Sequence, residues 1–268
     1  MVLEKRRIMR NPTKARIRAA MILAAVLILF VATGMTAAAA EIERFPSSPQ
    51  FEVLSPIPIA KRGLITHGPR SERNIALTFD LCQSQGATSG FDPEIVRILS
   101  DSETPATFFP GGLWMRDHRD ETRALAGNPL FELGNHSWSH PDFSKIPPER
   151  ITEEIRKTQR IMWEFLGYQT RLFRFPYGRY SEKALDVIGQ NGLYAIQWDV
   201  VSGDPDPGID ADRMARWVLS RMKSGSIVIM HANGRGRHTA KALRPIIHGL
   251  REKGYAPVTV SRLLGLER

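Results

Sequence analysis

Ile75–Asp80 reads IALTFD and Ser226–His231 reads SIVIMH. Each is a short apolar run that ends on one polar side chain able to do chemistry. The same form recurs as ATFF (Ala106–Phe109), LFELG (Leu130–Gly134), LFRF (Leu172–Phe175) and LYAIQW (Leu193–Trp198), with a weaker APVTV at Ala256–Val260. Between the runs lie helical patterns. In Glu149–Gly167 the residues Ile151, Ile155, Met162, Phe165 and Leu166 share one face, and Gly167 ends it. A second pattern holds Leu243, Ile246, Ile247 and Leu250 and closes with Gly254; Pro245 places its start near that residue. Strands separated by helices predict parallel pairing in an α/β fold. Six or seven such units in so short a stretch favour a (β/α) barrel, with an open sheet the alternative that the pattern leaves.

The polar residues fall where the runs end. Asp80 closes the first, Asn135, His136 and His140 follow LFELG, Arg174 lies in LFRFP, Asp199 closes the fifth and His231 the sixth. In parallel α/β folds the carboxyl ends of the strands share one rim, and sites are built there. Five clusters at five strand ends therefore converge. HSWSH at His136–His140 spaces two imidazoles at i and i+4, which on a helix puts both on one face within reach of one metal ion. Such a pair alone carries little weight; beside a strand-end aspartate and histidine it carries more.

The charge of the 268-residue chain is +9, but it is uneven. Residues 1–40 hold Lys5, Arg6, Arg7, Arg10, Lys14, Arg16 and Arg18 against Glu4, which leaves +3 on the remainder. No basic stripe with interleaved aromatics is present, so nucleic acid is not an expected partner. The basic segment precedes an apolar run, Ala19–Ala32, and then small residues to Ala38 and Ala40, the order of a secretory leader. Ala19–Ala32 is short of the ~20 residues that cross a bilayer, unless Thr33–Ala40 joins it as an uncleaved anchor. Either form predicts an exported chain, periplasmic or held at the cell envelope, that meets a membrane only through this segment. Residues 41–71, rich in proline, read as an extended lead-in, and 72–268 as the domain proper. The single cysteine, Cys82, excludes an intrachain disulfide.

Five motifs occur in order: TFD at Thr78–Asp80, HSWSH at His136–His140, RFPYG at Arg174–Gly178, WDVVSGD at Trp198–Asp204 and IVIMH at Ile227–His231. Together they resemble those of the NodB-homology polysaccharide deacetylases, carbohydrate esterase family four, over roughly residues 72–265. The resemblance implies a distorted (β/α) barrel of about seven parallel strands and a metal-dependent hydrolase that removes N-acetyl groups from a chitooligosaccharide, peptidoglycan or exopolysaccharide. It implies that His136 and His140 hold a divalent ion, zinc foremost, and that Asp80 is the general base. His231 would be the general acid, Asp204 its partner, Arg174 the residue that orients Asp80, and the Tyr177 N–H a donor to the acetyl oxygen. Met230 matches a position lining the pocket for the acetyl methyl. An O-acetyl ester substrate, or a barrel that binds glycans without turnover, fits the same scaffold.

Two positions depart from the pattern. The family's second aspartate, a metal ligand directly after the base, is Leu81 here. Cys82, one residue on, is a donor suited to zinc, or else a small buried apolar residue; Asp80 itself or Asp92 could also complete the set. Pro205 stands where a tryptophan is usual. Trp138 reads as core packing, Asp199 equally as a strand-end cap or a catalytic group, and the GRGRH run at Gly234–His238 as a solvated rim loop, with contact of Arg235 and Arg237 to an anionic substrate the alternative. His67, His118, His238 and His248 receive no role.

Overall fold

The computed structural model describes residues 51–266. The leader expected in 1–40 lies outside the described residues, among which no helix is long and apolar enough to cross a membrane. In chain order the strands are β1 (Leu64–Ile65), β2 (Asn74–Leu81), β3 (Ala106–Pro110), β4 (Phe131–Leu133), β5 (Leu172–Phe173), β6 (Tyr194–Ile196), β7 (Val200–Val201), β8 (Ile227–His231) and β9 (Ala256–Pro257). One sheet runs β4-β3-β2-β8-β7, with β9 on the first residues of β2; the other runs β1-β6-β5. Every ladder is parallel. A parallel bridge at Asn135–Phe173 joins β4 to β5, and an antiparallel bridge at His67–Ser226 ties the chain after β1 to the start of β8. The strands therefore run round into the distorted α/β barrel expected from the sequence.

Strand alternation divides the interior from the helix layer. On β2, Ile75, Leu77, Phe79 and Leu81 pack outward with Val228 and Met230 of β8 and with the helices Pro93–Asp101 and Thr239–Glu252. Ala76, Thr78 and Asp80 alternate with them. Ala76, Phe109, Leu172, Ile196, Ile227, Val258 and Val260 form an apolar plug inside one end of the barrel. A polar layer sits above that plug, toward the carboxyl ends of the strands.

The helix Pro148–Leu166 ends at Gly167 in the left-handed region, φ 74°, as its pattern predicts. The other helix begins earlier than Pro245 suggested. It spans Thr239–Glu252 with Pro245 inside, because Ala242, Leu243, Ile246, Ile247 and Leu250 bury one continuous face that outweighs a missing backbone donor. The stretch read as lead-in also contributes to the domain. Ile57 is buried and its N–H donates to Gly189 O at 2.8 Å, and β1 extends the sheet beside β6. Its prolines hid a strand of only two residues.

Candidate metal and catalytic centre

Asp80 and His231 are direct register partners on β2 and β8, so two adjacent strands deliver both side chains to the same rim. Asp80 is buried, and its Oδ1 accepts from Arg174 Nη1 at 2.8 Å. Burial pushes the Asp80 carboxyl up. The charge of Arg174 outweighs this and holds the group below its ordinary value. Arg174 is fully buried. Its Nη1 also donates to Thr78 Oγ1 at 2.8 Å, its Nη2 to Gln197 O at 3.3 Å and its Nε to Ile196 O at 3.4 Å. The guanidinium lies 4.0 Å from the centre of the Phe109 ring. Asp80 is thus fixed by a cation that has no freedom of its own.

His231 is held from behind. Its Nδ1 lies 3.0 Å from Asp204 Oδ1, and its backbone N–H donates to Asp204 Oδ2 at 2.6 Å. Thr239 Oγ1 and Ser202 Oγ donate to the same carboxylate at 2.9 and 3.0 Å. An ionised carboxylate only accepts, so Nδ1 carries the proton and Nε2 is left for chemistry.

The two imidazoles of HSWSH meet, but not on a helix. His136–His140 is a loop in which Ser137 and His140 take left-handed φ of 67° and 57°. Each such residue costs about 1–2 kcal/mol. Local hydrogen bonds hold them: Ser137 N donates to Asn135 Oδ1 at 2.9 Å, and His140 N to Ser137 Oγ at 3.1 Å. The ring centroids lie 4.9 Å apart. His136 Nδ1 is 2.9 Å from Arg174 O, and a carbonyl only accepts, so Nε2 presents a lone pair to the site. Burial keeps both rings neutral, pushing His140 down to about 3 with help from His136.

Cys82 completes this group. Its Sγ is 3.5 Å from His136 Nε2, and the donor atoms of Cys82, His136 and His140 all lie within 4.8 Å of one another. A tetrahedron with bonds of about 2.0–2.3 Å has edges of about 3.3–3.8 Å, and the 3.5 Å between Cys82 Sγ and His136 Nε2 falls within that range. Two nitrogens and a sulfur match a borderline-soft cation. Asp80 Oδ2 stands 3.6 Å from His136 Nε2, beside the group. Without a cation, burial and then Asp80 push the Cys82 thiol well up. The residues present therefore fit a divalent ion. Leu81 points into the helix layer, whereas Cys82 returns to the face of Asp80. Asp92 does not fold in; it caps the helix Pro93–Asp101 through Glu94 N.

A cleft of about 170 Å³ opens over the centre, lined by Asp80, Cys82, His136, His140, His231 and Asp204 and walled by Tyr177, Trp198, Val201, Pro205, Ile229 and Arg235. Met230 does not line it. Residues 229 and 231 share a face of β8 and 230 takes the other, so Ile229 fills that place and Met230 is core. That period-two argument was available in the sequence; the roles of Trp198 and Val201 were not. Tyr177, at φ 58° in the 3-10 turn Pro176–Gly178, sets its half-exposed ring edge-on to His140 at 4.5 Å. Asp199 lies outside the cleft and accepts from Ile227 N, Ser226 Oγ and Arg70. Trp138 packs over Gly112, where a Cβ would strike its ring. His118 stacks on Trp114, His248 pairs with Glu252 on the surface, and His67 and His238 also stay away from the centre.

A family model described as polysaccharide deacetylase matches residues 67–196. The peptidoglycan-N-acetylglucosamine deacetylase of Bacillus cereus is 31% identical over 195 residues, 72% of this chain and 69% of that protein. The chitooligosaccharide deacetylase of Rhizobium leguminosarum bv. phaseoli is 31% identical over 217 residues, 74% and 92%. Against YlxY of Bacillus subtilis, 30% identical over 64% of this chain, the chain spans only 52% of the relative's length. Among solved structures, the Bc1960 peptidoglycan N-acetylglucosamine deacetylase superposes with a TM-score of 0.71 at 28% identity, over 78% of this chain and 96% of that one. A Bacillus anthracis CE4 pseudoenzyme superposes at 0.69 with 25% identity, over 77% and 70%. With a fold, a motif order and relatives that agree, the chain belongs to the polysaccharide deacetylases, the NodB-homology group of carbohydrate esterase family four.

Proposed function

We propose that this chain is a metal-dependent hydrolase that removes N-acetyl groups from a glycan of the chitooligosaccharide or peptidoglycan kind, the substrates named for its relatives. His136, His140 and Cys82 hold the divalent ion. When bound, that ion supplies Lewis acidity to the acetyl carbonyl and to the attacking water. Asp80 Oδ2 takes the proton of that water, and Arg174 keeps Asp80 ionised and aimed. His231 Nε2 hands a proton to the departing amine, a poor leaving group without it, while Asp204 fixes the tautomer. The Tyr177 backbone N–H donates to the oxygen that gains charge. The reading rests on one observation above the rest: the donor atoms of Asp80, Cys82 and His231 lie within 4.8 Å of one another, beside His136 and His140. The basic-then-apolar leader at 1–40 favours an exported site of action.

A second reading, a barrel that binds glycan without turnover, draws on Leu81 and on the likeness to a solved pseudoenzyme. Metal analysis and acetate release from N-acetylglucosamine oligomers separate the two. We expect close to one divalent ion per chain and release that stops on chelation. Full release by metal-free protein would remove the metal role, and bound ion with no release would favour the second reading.

A further inference from the structure

The cleft continues away from the reacting centre. A neighbouring cavity of about 460 Å³ shares Cys82, His140, Tyr177 and Arg235 with it and is walled by the loop residues Gln83, Ser84, Thr88 and Ser89. A third cavity, about 390 Å³, shares Gln83, Ser84 and Ala87 with the second and adds Trp138, Arg116, Arg150 and Lys157. Among the described residues no carboxylate lines either outer cavity. Their charged lining is Arg235, Arg116, Arg150 and Lys157, all cationic. Three of these have partners nearby: Arg116 pairs with Asp117, Arg150 with Glu153 and Glu154, and Lys157 with Glu153. Arg235 is exposed and makes no ion pair among the described residues. Its loop is anchored all the same. Asn233 Nδ2 donates to Cys82 O at 2.8 Å, and Asn233 Oδ1 accepts from Arg235 N at 3.4 Å. The guanidinium is thereby presented at the junction of the reacting centre and the second cavity.

A planar guanidinium matches a carboxylate through two parallel hydrogen bonds, and the hydroxyls of Ser84, Thr88 and Ser89 suit a sugar ring beside it. We infer that the sugar next to the one deacetylated carries a carboxylate, and that Arg235 recognises it, so the cleft selects an acidic acetylated glycan over a neutral one. Arg235 is then a specificity-determining residue. The inference rests on the deacetylase reading for the ligand being a glycan, and the test keeps the two apart.

Two matched oligosaccharides serve as probes. One is a peptide-free strand alternating N-acetylglucosamine with its carboxylate-bearing lactyl ether; the other is the same strand with each carboxylate converted to a methyl amide. Calorimetric titration of the full chain should show the acidic strand binding about tenfold tighter, the value of one charge-assisted hydrogen-bonded pair. Arg235→Gln should bring that ratio close to one, and Arg235→Lys should keep part of it. Raising the salt to about 0.5 M should weaken the acidic strand far more than the neutral one. Equal affinities in the unaltered protein, a preference that survives Arg235→Gln, or no binding of either strand would overturn the inference. Acetate release is read separately. A charge preference in binding without release leaves the inference standing and defeats the hydrolase reading; release without preference does the reverse.

Discussion

Asp80 and His231 sit in register on two paired strands, whereas His136 and His140 sit in a loop that visits the left-handed region twice. The first pair is brought to one rim by strand register and alternation, and Arg174 and Asp204 then fix the two side chains from behind. The second pair depends on particular side chains, Asn135 and Ser137, to hold the backbone in costly conformations. Cys82 belongs to neither half: it stands just past the end of β2, on the strand face of Asp80 but within reach of the imidazoles. A regular scaffold therefore carries the groups assigned to move protons, and an irregular one carries those assigned to hold the ion. Damage to each half should look different.

The largest effects should fall on the strand-borne pair. Asp80→Asn and His231→Ala should each lower acetate release by about 10²–10⁴-fold, with circular dichroism and bound metal little changed; loss of metal together with activity would show that the two halves are not separable. Arg174→Ala comes next. It leaves a buried carboxylate and two carbonyls without their donor, and should cost about 3–5 kcal/mol in denaturant unfolding. A cost below ~1 kcal/mol would mean that water reaches Asp80 in the folded protein.

Much of this contrast was legible in advance. IALTFD and SIVIMH give their strands, their pairing class and the rim where Asp80 and His231 end, because a period of two and a parallel sheet leave little choice. The HSWSH loop was not legible: i and i+4 spacing suggested a helix, and only the hydrogen bonds of Asn135 and Ser137 explain why the imidazoles converge without one. Met230 shows an error of a different kind. The resemblance pointed to it, while simple alternation from His231 selects Ile229. The two-residue β1 and the single bridges that complete the barrel carry too few residues to leave a pattern.

Smaller effects should sharpen the irregular half. Cys82→Ser should weaken zinc binding about 10–100-fold in a competition titration, since a hydroxyl replaces a soft donor; unchanged affinity would make Cys82 a packing residue and require another ligand. Ser137→Ala removes the acceptor of His140 N and should cost about 1–3 kcal/mol of stability, because the amide is buried. Its metal affinity should fall while the Asp80 and His231 geometry stays. If Ser137→Ala is silent in both, the loop is held by something other than its own hydrogen bonds.

X-ray absorption at the zinc edge of the reconstituted protein tests the joint site most directly. One sulfur at about 2.3 Å and two imidazole nitrogens at about 2.0–2.1 Å are expected, with the sulfur lost in Cys82→Ser. A shell of nitrogen and oxygen alone in the unaltered protein would contradict the assignment of Cys82, His136 and His140 as one set of ligands.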